Sequence, residues 1–194
     1  VHAIRYARHN RPARDNFMFS GDVHDGPQPL DFFIWVIRRD DRTFVVDLGF
    51  DHAGAARRGR TLLRLPSESL SMLGIKAESV EDVIVTHMHY DHAGDLSAFP
   101  NATLHLQARE MSFATGPNML SKTLRQAFDV EYVCDFIRAV YDERVNFIDG
   151  VRTLAPGLSV HHVGGHTDGH QVVRVWTEAG WLVLASDAVH LYQN

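Results

Sequence analysis

Three imidazoles and a carboxylate fall within one six-residue span, His87-Met88-His89-Tyr90-Asp91-His92, in the order His-x-His-x-Asp-His. Just ahead runs Val83-Ile84-Val85, a short β-branched apolar stretch that reads as a buried strand. A strand ending in ligand-type side chains places them on a loop at a sheet edge. Alternate residues of an extended segment point the same way, so His87 and His89 can grip one ion. Asp91 and His92, past the bend, then face a second position. Neutral imidazole nitrogen with carboxylate oxygen suits zinc first, with iron, manganese or nickel as alternatives. A run of surface histidines or a tag remnant is the bland reading, but a tag is homopolymeric and terminal and this run is neither.

The elements that must position these groups alternate between strand and helix. Residues 1–29 are polar and rich in Arg, Gly, Pro and Asp, with Asp22–Pro27 reading as a turn or loop that carries a solvated His24. Asp31–Ile37 and Thr43–Asp47 predict a β-hairpin that delivers Asp47-Leu48-Gly49 at a strand end. Residues 53–79 read as mostly helical, with Pro66 opening a run and Gly74 stopping it. Ala93–Phe99 predicts a short helix leaving the histidine run, and Thr103–Gln107 a strand whose His105 is structural. Residues 108–142 carry apolar residues at helical spacing (Leu120, Leu124, Phe128, then Val133, Ile137, Val140) and predict two or three helices. Strands follow at 145–148, 158–163, 171–177 and 181–185, with Gly164-Gly165-His166-Thr167-Asp168-Gly169-His170 between the second and third. No role attaches to His161 or His162. The pattern is α/β, a single domain over residues 1–194.

Composition narrows the function classes. A chain of 194 residues with 45% hydrophobic content can bury a core, and a net charge of −5 argues against binding nucleic acid through phosphates. No apolar run reaches the ~18 residues needed to cross a bilayer. The single cysteine, Cys134, reads as a helix filler, excludes an internal disulfide and fits a reducing, cytoplasmic setting. A homo-oligomer is compatible with all of this.

Val85-Thr-His-Met-His-Tyr-Asp-His-Ala-Gly94, Gly165-His-Thr-Asp-Gly-His170 and Ser186-Asp187-Ala188, preceded by Asp47-Leu48-Gly49, resemble in order the motifs of the metallo-β-lactamase superfamily. The resemblance spans about residues 31–190. It implies an αββα sandwich with two divalent ions at one edge of the paired sheets. By position it gives His87, His89 and His166 to the first ion, Asp91 and His92 to the second, and Asp187 to both. Asp47 would orient a ligand through a hydrogen bond, and His170 would be structural. The family closes the second site with a further histidine several dozen residues after the shared Asp. Here Asn194 is seven residues beyond Asp187 (194 − 187), so the sandwich is expected to be incomplete at its C-terminus, with an apolar sheet partly uncovered.

Two ions about 3.5–4 Å apart share and activate a water that attacks a carbonyl or phosphoryl centre. The motifs look closest to the N-acyl homoserine lactonase branch, which implies a small lactone or ester substrate with its acyl chain against aromatics such as Phe32, Phe33 or Trp35. His190 holds the place of that branch's Tyr, three residues after the shared Asp, and Tyr192 could do the same work. Either would stabilise the oxyanion, while Asp91 shuttles a proton to the leaving oxygen. Alternatives within hydrolases are an arylesterase or organophosphate hydrolase and a glyoxalase II-type thioesterase. A β-lactamase or a one-iron sulfur dioxygenase fits less well. From a different class comes a non-catalytic, or truncated and inactive, metal-binding domain.

Overall fold

The computed structural model describes residues 1–16, 25–39 and 42–191; His24 and Tyr192 lie outside them. Seven strands form the larger sheet: β1 (His2–His9), β2 (Leu30–Arg39), β3 (Arg42–Val46), β4 (Thr61–Leu62), β5 (Asp82–Ile84), β6 (Thr103–Gln107) and β7 (Val145–Ile148), in the order β4-β1-β2-β3-β5-β6-β7. The expected hairpin is there as the antiparallel β2–β3 pair, and β3, β5, β6 and β7 run parallel. A second, antiparallel sheet stacks β11 (Gly180–Leu184), β10 (Gln171–Thr177), β9 (Leu158–His162) and β8 (Val151–Ala155) in that order.

Side-chain alternation divides the core in two. Val45, Val83 and Val85 point to one face of the larger sheet, where Phe99, Tyr132 and Phe136 cover them. Phe44, Val46 and Ile84, one residue out of step, point to the other and meet Val160, Val173, Val175 and Leu184 of the smaller sheet. The layers are thus helices, large sheet and small sheet. On the far face of the smaller sheet Trp176, Trp181 and Val183 are about half exposed (57%, 48% and 51%), as expected of an uncovered apolar face. No helix among the described residues is long and apolar enough to cross a membrane.

Three departures have local causes. His2–His9, to which the residue pattern gives no element, is a strand. A register shift between Arg5 and Ala7 buries Tyr6 and Ala7 in succession, which breaks the two-residue alternation that would announce β1. The edge strand β8 exposes Val151, Arg152 and Thr153, so it carries no apolar pattern. In the helical region, Leu120 and Leu124 are exposed, and Val130–Tyr141 buries Tyr132, Val133, Phe136 and Ala139 instead of a face through Ile137. His105 is satisfied within the sheet by Asp82 (2.8 Å) and Asn146 (2.9 Å).

Candidate metal centre

Parallel pairing of β3 and β5 brings their C-terminal ends side by side, and Asp47 N–H donates to the Ile84 carbonyl (2.9 Å). The chain after β3 then pairs with the histidine loop: Leu48 N–H donates to His92 O (2.9 Å) and Gly94 N–H to Gly49 O (2.7 Å). The smaller sheet joins at the same edge. Gln171, the first residue of β10, donates its backbone N–H to Thr86 O (3.0 Å) and its amide to the Val85 and His105 carbonyls. Gln107 donates to the Gln171 side-chain carbonyl (2.9 Å). These contacts lock the loops carrying His87–His92 and His166–His170 to one another.

The result is a cluster of six groups from three loops. Ligand atoms of His87, His89 and His166 lie within 4.8 Å of one another, as do those of His87, His92 and Asp187, and of His166, Asp187 and His190. Asp187 Oδ2 lies 3.3 Å from His166 Nε2 and 3.0 Å from His190 Nε2, while its Oδ1 is 3.3 Å from His92 Nε2. Asp91 joins none of these groups, but its carboxylate stands 3.7 Å from His92 Nε2. All the predicted site residues that are described therefore meet at one sheet edge. Asp47 is buried behind them and accepts from His92 Nδ1 (2.7 Å), in the place expected of a group that orients a ligand.

A metal fits this donor set. His87 is wholly buried and its Nε2 has no hydrogen-bond partner among the described residues, although His87 belongs to two of the three groups. An orphaned buried nitrogen costs desolvation energy that a cation would recover. Imidazole and carboxylate are the ligands zinc takes.

Electrostatics among the protein groups of the cluster point both ways. Burial, reinforced by His166 and His92, brings His89 down to about 3. Burial likewise brings His170 to about 4 and His87 well below the usual imidazole value. For His92 burial acts in the same sense, yet the Asp187, Asp47 and Asp91 carboxylates overcome it and hold its pKa well above the usual value. The bond to Asp187 also raises His190. A lowered histidine loses its stabilising contribution as pH falls from about 6.5 towards its folded value, because the unfolded chain takes up the proton first. The raised pair contributes fully below about 6.5 and loses that contribution as pH climbs. In chelator, the acid limb between pH 6.5 and 5 should therefore carry the His170 proton. Urea unfolding of His170→Asn should flatten this limb by up to about 1.4 kcal/mol per pH unit; an unchanged slope would count against it.

His170 is expected to be structural, and neither of its buried ring nitrogens has a partner among the described residues. Sequence reasoning passes over Gln107, Gln171 and Glu110, all fully buried. For Glu110 the available signal is its place four residues before Ala114 on the buried face of the Ala108–Thr115 helix.

Comparison with known proteins agrees with this fold. Residues 30–194 match the model of the metallo-beta-lactamase superfamily. An N-acyl homoserine lactonase from a Bacillus species is 26% identical over 182 residues, covering 85% of this chain and 67% of that protein. The chain thus spans about two thirds of that relative's length. A quorum-quenching N-acyl homoserine lactone lactonase has the same fold, with a TM-score of 0.76 at 21% identity over 96% of this chain and 72% of that one. AidC, a dizinc quorum-quenching lactonase in complex with its product, superposes with a TM-score of 0.61 at 19% identity over 81% of this chain and 56% of its own. The chain belongs to the metallo-β-lactamase superfamily, and the relatives it matches include N-acyl homoserine lactonases.

Proposed function

We propose that this chain carries the active site of a hydrolase that opens a lactone ring of the N-acyl homoserine type with the help of two divalent ions, zinc first. His87, His89 and His166 would hold one ion, His92 and Asp91 the other, and Asp187 both. The observation that carries this reading is the convergence of His87, His89, His92, His166 and Asp187, from loops up to a hundred residues apart and with Asp91 beside His92, around a buried imidazole nitrogen without a partner among the described residues. When bound, such ions lower the pKa of a water and polarise a carbonyl.

The chain's own groups supply the rest. Water adds to the lactone carbonyl carbon, and the ring C–O bond then breaks. His190, at the rim with a side chain 39% exposed and its Nε2 anchored on Asp187, would donate to the carbonyl oxygen as negative charge grows there. Asp91 would pass the proton to the departing ring oxygen. Phe32, Phe33 and Trp35 do not form one wall for an acyl chain. Phe32 packs with Tyr6 and Phe50, and Trp35 packs into the core between the sheets. A cavity of about 570 Å³ with an apolar wall of Met119, Phe128, Val130 and Val133, lined also by Lys122, Arg125 and Gln126, is a better place, since the Phe128 ring lies 4.7 Å from that of His89. Met119→Trp should raise KM about tenfold for long-chain lactones and leave short-chain substrates unchanged, because each buried methylene contributes about 0.8 kcal/mol; equal effects on both would exclude this cavity.

The test of the reaction is a pH-stat assay of lactone, phosphotriester and thioester substrates, with bound metal counted per chain by mass spectrometry. About two ions with lactone turnover supports the proposal. Metal without any turnover favours a metal-binding domain, and thioester turnover alone favours the glyoxalase II-type alternative.

A further inference from the structure

Glu110 is fully buried near the N-terminal end of the Ala108–Thr115 helix. Its Oε1 accepts the Met88 N–H (2.8 Å), and its Oε2 accepts the Thr167 hydroxyl (2.6 Å) and the Gly169 N–H (3.0 Å). Met88 sits between His87 and His89, and Thr167 follows His166. One carboxylate therefore grips both loops that feed the first ligand group. Gly169 fits the same purpose: a Cβ there would lie 2.1 Å from Glu110 N, so only glycine lets the second loop approach this closely. Burial raises the Glu110 pKa, and the bonds from Thr167, Met88 and Gly169 oppose it. A buried carboxylate is a costly way to hold a backbone unless the position it sets matters.

We propose that Glu110 is a positioning residue of the metal centre, setting the separation of the His87–His89 and His166 loops and thereby the geometry of the first ligand group. The inference rests on reading the cluster as a metal site. Glutamine keeps the shape of Glu110 but turns one acceptor into a donor. If its NH2 faces Met88, it opposes that N–H; if it faces Gly169, it opposes the other. In the second case the Thr167 hydroxyl can turn to accept from the NH2, so that loop loses the Gly169 bond alone; in the first the Met88 bond is lost outright.

The experiment is a zinc titration against a chromophoric chelator, with the visible spectrum of the cobalt-loaded protein, on the wild type, Glu110→Gln, Thr167→Val and Val160→Ala. Val160 lies in the core between the sheets, is not a member of any ligand group and serves as the control for lost stability. Glu110→Gln should bind zinc about 10- to 100-fold more weakly and shift the cobalt bands. Thr167→Val, which removes one of the three bonds and keeps the charge, should weaken binding about three- to tenfold. Val160→Ala should match the wild type in affinity and spectrum while unfolding at lower denaturant. Wild-type affinity and spectrum in Glu110→Gln, or in Thr167→Val should Glu110→Gln not fold, overturn the proposal and leave the metal site standing. The same follows if Val160→Ala weakens binding as much. A wild type that binds neither zinc nor cobalt overturns the reading of the site and this inference with it.

Discussion

Asp187→Ala is expected to lower lactone hydrolysis by at least about 10³-fold and to cut bound zinc from about two ions per chain to about one. The carboxylate belongs to two of the three ligand groups and lies 3.0–3.3 Å from nitrogens of His92, His166 and His190. The His87, His89 and His166 group does not include it, so one position should persist. Removal leaves three imidazoles facing each other without the negative charge between them. The protonated state of His92 then loses its largest carboxylate support, and His190 loses the bond that raises its pKa. Metal counting on the chelator-treated and reloaded variant, with a pH-stat assay, checks both halves. Retention of two ions with full turnover would mean that Asp187 is not shared.

How far the residue pattern reached depended on whether a position answers to a short-range rule. The hairpin, the strand into His87 and the strands on either side of His166–His170 obey two-residue alternation or apolar runs, and all are present. So is the meeting of His87, His89, His92, His166 and Asp187, because their motifs keep a fixed order and spacing. β1 was hidden by its bulge, and β8 by exposure on a sheet edge. The bridge between the sheets at Gln171 and the Glu110 anchor were hidden for another reason. Each is a single polar residue whose partners lie 22 to 86 positions away, and nothing local marks it. Leu120 and Leu124 show the converse: helical spacing alone does not decide which face meets the core.

Asp47 offers the second large effect, and a comparison of two substitutions separates its two roles. Its Oδ1 accepts the Thr86 N–H (2.7 Å) and hydroxyl (2.9 Å), and its Oδ2 accepts the His92 Nδ1–H (2.7 Å). The first set ties the loop after β3 to the loop after β5; the second turns His92 so that Nε2 faces Asp187. Asp47→Ala leaves a buried N–H and a buried imidazole nitrogen without partners. It also puts a Cβ-bearing residue without a side-chain hydrogen bond at φ 65, which Asp and Asn tolerate better. Breaking a buried charged pair of this kind costs about 3–5 kcal/mol, which urea unfolding of the metal-free chain would read directly. Asp47→Asn keeps the shape and the backbone preference, so its stability loss should be smaller, about 1–2 kcal/mol. Its amide nitrogen, however, must face either the Thr86 N–H or His92 Nδ1. In the second case Nδ1 has to accept, the ring proton moves to Nε2, and the nitrogen aimed at Asp187 can no longer take a cation. Zinc affinity at the second position should therefore fall about 10- to 100-fold in Asp47→Asn with most of the stability retained. If affinity instead tracks stability across the two variants, Asp47 is only a brace between loops, and the orientation of His92 must be set elsewhere.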